Sequence, residues 1–409
     1  RVLQPEQNAA AVQIMSRPLA CLVGGAGTGK TFTCKLICDL WTRFGGDVLL
    51  CALAGKAALR LSRSTGRLAK TLSRTLAELA ERDDLEALLV DGNASEDEKQ
   101  KAKLKLDGLS RIADSTLVVI DEASMVDLPT FDRLVKRLRP GSRLLLVGDE
   151  AQLPPIGFGL VFHKLVGDPP VTSRLTQVHR QAAATGIPAA ASAIRTGGMP
   201  EFSPFAGPTH GISFVDASSE NLAGALDDVI GGLGGPADVL VVTATIGGAA
   251  GVEAVNERQH VRHIATGREE LRGFFGRRFS VGEPVIFGRN DYRAGLFNGL
   301  LGHVTELDFE SRAVSVLFDG DIEPKKLGDE HLVDLDLAYA VTCHKCQGSS
   351  TRRVVVPIYG TRLLDRSWLY TAVTRAEEQV VLIGDRNVFS TAVAKPPAAT
   401  FRKTGLQWP

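Results

Sequence analysis

With 409 residues, the chain has room for two or three domains, each burying its own core. Its 44% hydrophobic and 23% charged residues exclude a disordered polymer, and 47 Lys+Arg against 47 Asp+Glu exclude coating of nucleic acid by bulk charge, leaving only local basic grooves. No apolar run approaches the ~20 residues of a membrane span, and Arg1-Val2-Leu3-Gln4 shows neither a signal-peptide layout nor an initiating Met, so the expectation is a cytoplasmic piece of a longer chain with no membrane partner.

In chain order, apolar β-rich runs fall at 19–23, 48–52, 117–120, 144–147, 239–242, 354–357 and 380–383, and the first two precede helical stretches from Lys30 and Lys56. Continuous apolar strands alternating with helices predict parallel sheets covered on both faces, an α/β architecture over nearly the whole length. Two segments depart from it. Residues 76–115 hold no aromatic residue and eleven Asp/Glu against six Lys/Arg, which predicts a solvated, acidic insertion with helical flanks. Within it, the alternation of Lys99, Lys101, Lys103 and Lys105 is compatible with a short strand. Residues 279–335 break into short runs (283–287, 302–307 and 313–318) between Gly, Asn and Asp, which predicts a small all-β insertion. The domains expected are therefore 1–75 with 116–170, then 171–278 with 336–395, followed by a tail at 396–409.

Gly24-Gly25-Ala26-Gly27-Thr28-Gly29-Lys30-Thr31 fits G-x-x-x-x-G-K-[ST] between a strand and a helix. Glycines at 27 and 29, around Thr28, let the backbone curl so that N–H groups face phosphate oxygens, and the following helix adds its positive end. Lys30 then reaches the β- and γ-phosphates of ATP, and the Thr31 hydroxyl binds Mg²⁺. Residues 117–122, Leu-Val-Val-Ile-Asp-Glu, form a buried strand ending in two carboxylates. Asp121 is expected to hold the Mg²⁺ hydration shell and Glu122 to polarise the attacking water. A third apolar run ends in Gly148-Asp149, with Gln152 in a turn fixed by Pro154 and Pro155. A Gln there can bond the γ-phosphate or the water; the competing reading is a turn residue bonded to backbone.

The cysteines are Cys21, Cys34, Cys38, Cys51, Cys343 and Cys346. Cys343 and Cys346 make a Cys-x-x-Cys, but no second pair stands at zinc spacing, and buried free thiols are the expectation. Lys56, Arg60, Arg63, Arg67, Lys70 and Arg74 recur at spacings of 4, 3, 4, 3 and 4, a basic stripe at helical period that reads either as a phosphate track or as a solvated face, broken where Gly66 splits the helix.

Taken together, Pro5-Glu6-Gln7-Asn8, the phosphate loop, Ala54-Gly55-Lys56-Ala57-Ala58, residues 121–127 and 148–154, Leu175–Gln181, Tyr339–Gly348 and Leu369–Ala376 resemble, in order, the motifs of superfamily 1 helicases of the RecD-like branch. The resemblance runs from residue 7 to 376. It implies two RecA-like P-loop motor domains, a small SH3-like β-barrel at 279–335, ATP and Mg²⁺ as cofactors, and movement from 5′ to 3′ on single-stranded DNA with unwinding of tailed duplexes. It further implies that Gln7 reads the adenine edge, that His179 lies against the adenine face, and that Arg180 and Arg375 clamp the γ-phosphate from the second motor domain. Permanently charged forks suit that task. DNA contacts are implied at Lys56 and Thr71 on the first domain and expected at Thr245, Thr342, His344, Lys345 and Gln347 on the second, with Arg293 and Asn298 of the barrel closing over the strand. Such contacts carry no base information.

Three departures accompany the match. Cys346 stands where the family has Ser, Thr71-Leu72-Ser73-Arg74 where it has Thr-Ile-His-Arg, and a preceding region of larger members is not in this sequence. Residues 76–115 occupy the place of the family's duplex-splitting pin, yet their negative charge suits docking of a protein partner better than contact with phosphate. The alternatives are therefore an ATPase subunit that clamps or translocates without unwinding, and an RNA helicase of the same superfamily. No segment reads as the second-substrate lid of a nucleotide kinase.

Overall fold

The computed structural model describes residues 4–178, 185–236, 239–291 and 293–405. It divides into two compact units, Arg1–Glu150 with Pro154–Gln177 and Phe401–Pro409, and Ala151–Leu153 with Val178–Thr400.

The first unit runs α1 (Pro5–Met15), β1 (Leu19–Gly24), α2 (Lys30–Arg43), β2 (Asp47–Ala52), α3 (Gly55–Thr65), β3 (Ala69–Thr71), α4 (Leu72–Val90), α5 (Glu96–Leu106), β4 (Thr116–Asp121), α6 (Leu128–Val135), β5 (Arg143–Gly148), α7 (Val161–Leu165) and β6 (Thr172–Leu175). Its six strands form one parallel sheet in the order β3-β2-β4-β5-β1-β6. The apolar runs are continuous because both faces are covered. Leu22, Leu50, Val119 and Leu145 enter the core on one side, while their neighbours Cys21, Cys51, Val118 and Leu144 enter the core on the other.

Three expectations change here. The segment 171–175, expected to open the second domain, supplies β6, which pairs with β1 of the first sheet. Residues 76–115 are not a free excursion: α4 starts at Leu72, and Leu72, Leu76 and Leu79 pack into the first unit's core. The alternating lysines lie on a helix, α5, because Ser95 accepts from the Glu98 N–H while the Glu98 carboxylate accepts from the Ser95 N–H, a start signal stronger than a period-2 pattern on a solvated face. Arg82 ties the two helices together by donating to the carbonyls of Leu106 and Ser110. At the chain's end, Arg402 donates to the Pro155 carbonyl, so the tail packs within the first unit.

In the second unit, β7 (Gly211–Asp216), β8 (Val239–Thr243), β16 (Ala340–Thr342), β17 (Thr351–Ile358) and β18 (Ala376–Gly384) form a parallel sheet ordered β16-β8-β17-β18-β7. Leu240, Val354 and Val380 face one core; Val241, Val355 and Val381 face the other. Between β8 and β16 the chain first makes a helix, Val252–Ile264, and a short hairpin of β9 (Leu271–Arg272) and β10 (Arg278–Phe279). It then builds an antiparallel five-stranded sheet, β14-β13-β12-β11-β15, from β11 (Pro284–Phe287), β12 (Leu300–Asp308), β13 (Ala313–Phe318), β14 (Lys325–Leu327) and β15 (Leu335–Leu337). Its core gathers Phe279, Phe287, Phe318 and Val304.

All six cysteines are buried thiols, and none forms a disulfide. Burial pushes the Cys21 thiol up to about 12 and the Cys51 thiol up to about 11. Among the described residues, no helix is long and apolar enough to cross a membrane.

Candidate functional site

Strand β1 delivers the chain into the phosphate loop at Gly24, and α2 takes it up again at Lys30. Gly27 and Gly29 hold φ of 78° and 84°, conformations that side-chain-bearing residues adopt at a cost. A Cβ on Gly24 would stand 2.4 Å from Thr28 Oγ1 and 3.0 Å from the Leu175 carbonyl. The Thr28 hydroxyl donates to the Gly25 carbonyl at 2.9 Å. Lys30 Nζ folds back over the loop and donates to the carbonyls of Gly24 and Gly25 at 2.6 and 3.0 Å. The ammonium therefore stands over the cradle itself, hydrogen-bonded to neutral oxygens that a phosphate would outcompete.

Asp121 closes β4, in register with Ala52 of β2, and Glu122 follows it. Both are nearly closed off from solvent, at 5% and 8% exposure. Asp121 Oδ1 accepts from the Glu122 N–H at 2.9 Å, while its Oδ2 is buried without a hydrogen-bond donor. Burial, and next the neighbouring Glu122 charge, push the Asp121 carboxyl upward. A buried carboxylate oxygen with an open lone pair, near the Thr31 hydroxyl's end of α2, is a donor set that fits hydrated Mg²⁺. Glu122 holds φ of 55°, a left-handed conformation rare outside glycine and typical of strained functional positions. Its Oε1 accepts from Arg60 Nη2 at 3.2 Å, and the same nitrogen lies 3.7 Å from Asp121 Oδ2. Sequence reasoning had Arg60 only as one member of a basic stripe; its spacing gave it a helix face but not this partner 62 residues away.

The rest of the stripe is also occupied. Arg67 pairs with Asp39 at 3.2 Å, and Lys70 and Arg74 both pair with Glu78. Burial works against the Glu78 charge, but hydrogen bonds from Lys70, Ser110 and Arg74 outweigh it and bring the carboxyl down to about 2. Lys56 is half-buried in the first turn of α3. Thr71, expected to contact DNA, is buried and caps α4: its hydroxyl oxygen accepts from the Arg74 N–H. Gln7, expected at the adenine edge, is buried with its side-chain carbonyl accepting from the Gln4 N–H at the start of α1.

Within the second unit, Arg375 is 5% exposed and donates to the Thr371 carbonyl, the Ser349 carbonyl and the Thr374 hydroxyl at 3.0, 3.2 and 3.2 Å. Gln152 is buried there with its Oε1 lacking a donor, and next to it the Leu153 N–H donates to the Thr371 hydroxyl at 3.0 Å. His179 and Arg180 lie outside the described residues. Of the expected DNA contacts, Thr342 and Lys345 line one cavity of about 410 Å³, together with Phe275 and Arg277. Thr245 donates to the Gly247 carbonyl and bonds Tyr359. His344 is half-buried, and Gln347 is buried with neither amide atom bonded. Asn298 and Arg293 are exposed on the β-insertion, their N–H groups donating to Asn290 and Asp291. The exposed Phe275, in a left-handed turn at φ 55°, had no sequence signal beyond its flanking glycines.

Residues 2–208 match the AAA domain family and residues 337–383 the UvrD-like helicase C-terminal domain. The chain is 32% identical to the RecD subunit of the RecBCD enzyme of Mycobacterium tuberculosis, over 98% of this chain and 72% of that one. It belongs to the RecD-like helicases of superfamily 1. A second relative of this RecD-like chain, the ATP-dependent RecD2 DNA helicase of Deinococcus radiodurans, is 32% identical over 99% of this chain, which spans 52% of that protein's length. The fold is shared with the Pif1 helicase from Candida albicans, at a TM-score of 0.55 and 18% identity, over 96% of this chain and 99% of that one. The RecD-like assignment accounts for the α/β architecture and for the order of the motifs from the phosphate loop to Arg375.

Proposed function

We propose that this RecD-like chain hydrolyses ATP to move from 5′ to 3′ along single-stranded DNA and to unwind tailed duplexes. The observation that carries the proposal is the convergence of three features at the end of one sheet. They are a lysine poised over a glycine-shaped cradle, a buried aspartate with an unmet lone pair, and a strained glutamate beside it. When bound, Mg²⁺ would neutralise phosphate charge between Thr31 and Asp121. Lys30 binds the phosphates, Glu122 takes the proton of the attacking water, and Gln152 bonds the water or the γ-phosphate. Arg375, together with Arg180, supplies the positive charge that a phosphoryl-transfer transition state requires. Lys56 on the first unit holds the strand's backbone, as do Thr245, Asn298, Thr342, His344, Lys345 and Gln347 on the second.

The use of DNA follows the RecD2 DNA helicase named above, and the direction follows the motif resemblance. The test is unwinding, with ATP, of duplexes carrying a 5′ or a 3′ tail, alongside ATPase rates with equal lengths of DNA and RNA. Preference for the 5′ tail and for DNA supports the proposal; a 3′ preference, or an ATPase indifferent to nucleic acid, removes it. One observation favours an ATPase subunit of a larger assembly as a second reading. Residues 76–115, which hold the α4–α5 pair, carry eleven Asp/Glu against six Lys/Arg, an acidic excess suited to a basic protein partner rather than to DNA.

A further inference from the structure

We propose that Arg60 is a positioning residue that withholds Glu122 until a DNA strand arrives, coupling strand binding to hydrolysis through one side chain. The proposal rests on the hydrolytic reading of the site above.

Helix α3 buries Ala57, Ala58, Leu61 and Thr65, and its other face carries Lys56 and, one turn on, Arg60. The Arg60 side chain is 45% exposed, whereas that of Glu122 is 10% exposed. The guanidinium thus reaches from an open helix face into a closed carboxylate pair. Its Nη2 occupies a lone pair of Glu122 Oε1 at 3.2 Å and leans on Asp121 Oδ2 at 3.7 Å.

A general base needs a free lone pair within reach of the water and an affinity for its proton. An arginine on that oxygen takes up one such lone pair. Glu122 has little freedom to escape by moving its backbone, since its N–H is committed to Asp121 Oδ1 at 2.9 Å. Phosphate offers the guanidinium a pair of charged oxygens, as the carboxylate does. A strand lying along α3 at Lys56 brings a phosphate within one helical turn of Arg60, draws the guanidinium off, and frees Glu122. By linkage, the carboxylate pair then opposes strand binding as much as the strand relieves the pair.

The experiment uses the full chain as wild type, Arg60→Ala and Arg60→Lys. It reads ATP turnover with and without oligo(dT), and, with no nucleotide present, the salt dependence of oligo(dT) affinity by fluorescence anisotropy. Arg60→Ala is expected to raise DNA-free turnover roughly tenfold or more, a part of the ~10²–10⁴ that a positioned base contributes, and so to shrink the DNA stimulation. Its plot of log affinity against log salt should flatten by about 0.7, one phosphate contact on a single strand. A lower DNA-free turnover would mean that Arg60 serves the base rather than restraining it, and an unchanged salt slope would mean that it never meets the strand; either overturns the proposal. If Arg60→Ala loses its cooperative melt, Arg60→Lys decides. Lysine keeps a phosphate contact but grips a carboxylate less well, so turnover without DNA rises at an unchanged slope, and unaltered turnover overturns the idea. A wild type whose ATPase ignores oligo(dT) defeats the motor reading itself, an outcome distinguishable from the failure of either variant.

Discussion

Replacing Glu78 by Gln removes the charge on which four hydrogen bonds converge: from Lys70 Nζ, from Arg74 Nε at 2.7 Å, and from the Ser110 N–H and hydroxyl at 3.1 and 2.6 Å. These partners come from β3, from α4 itself and from the segment after α5, so Glu78 fastens the helical pair to the edge of the first sheet. An amide of the same shape can accept at one oxygen but presents its NH₂ to a donor at the other, and Lys70, only 13% exposed at its side chain, keeps an uncompensated charge. Breaking such a pair from one side costs about 3 kcal/mol. For a unit of this size that is a fall of roughly 6–12 °C in melting temperature. The Glu78 carboxyl is held at about 2, below the ordinary carboxylate value of 4.5. The stability it contributes is therefore complete above pH 4.5 and is lost as pH falls toward about 2. Thermal melts followed by circular dichroism at pH 7, 4.5 and 3 should show wild type and Glu78→Gln converging as the medium is acidified. A variant that melts with wild type at pH 7, or a gap that stays constant down to pH 3, would refute the reasoning.

Lys30→Ala should lower ATP turnover at least ~100-fold while the melting temperature is kept, because the lysine's partners in the free protein are two loop carbonyls rather than core groups. Glu122→Gln should depress turnover by about 10²–10⁴ with nucleotide affinity retained, read by a labelled nucleotide in anisotropy; equal losses in binding and turnover would contradict a base at this position. Gly24→Ala places a methyl 2.4 Å from Thr28 Oγ1, so the hydroxyl must leave the Gly25 carbonyl and the loop loosens. The expected result is a raised KM for ATP at nearly unchanged kcat, and a KM equal to wild type would show that the loop tolerates the methyl.

The parallel sheets were legible in the sequence because strands covered on both faces need an uninterrupted apolar run, and each such run became a strand. The phosphate loop was legible because its backbone demands glycine where φ is positive. By contrast, β6 is four residues, Thr-Ser-Arg-Leu, at a sheet edge with only two of them buried, so neither length nor apolarity marked it. The lysines of α5 alternate without structural meaning because that face is solvated, and the cap at Ser95 decides the conformation instead. Thr71 shows how one residue type serves two purposes. Threonine suits both a phosphate contact and a helix cap, and here its oxygen is engaged by the Arg74 N–H. Arg60 lay beyond reach for a different reason: helical spacing names the face on which a charge sits, but only the tertiary structure brings β4 beneath it.

The six enclosed thiols have a practical corollary for anyone wishing to watch this molecule at work. Maleimide chemistry needs an accessible thiolate, and side chains sealed in the interior supply almost none. The unaltered protein is therefore close to silent toward such dyes, and a single cysteine introduced on the outer face of α5 would take a fluorophore at one known address, without first stripping out the native six.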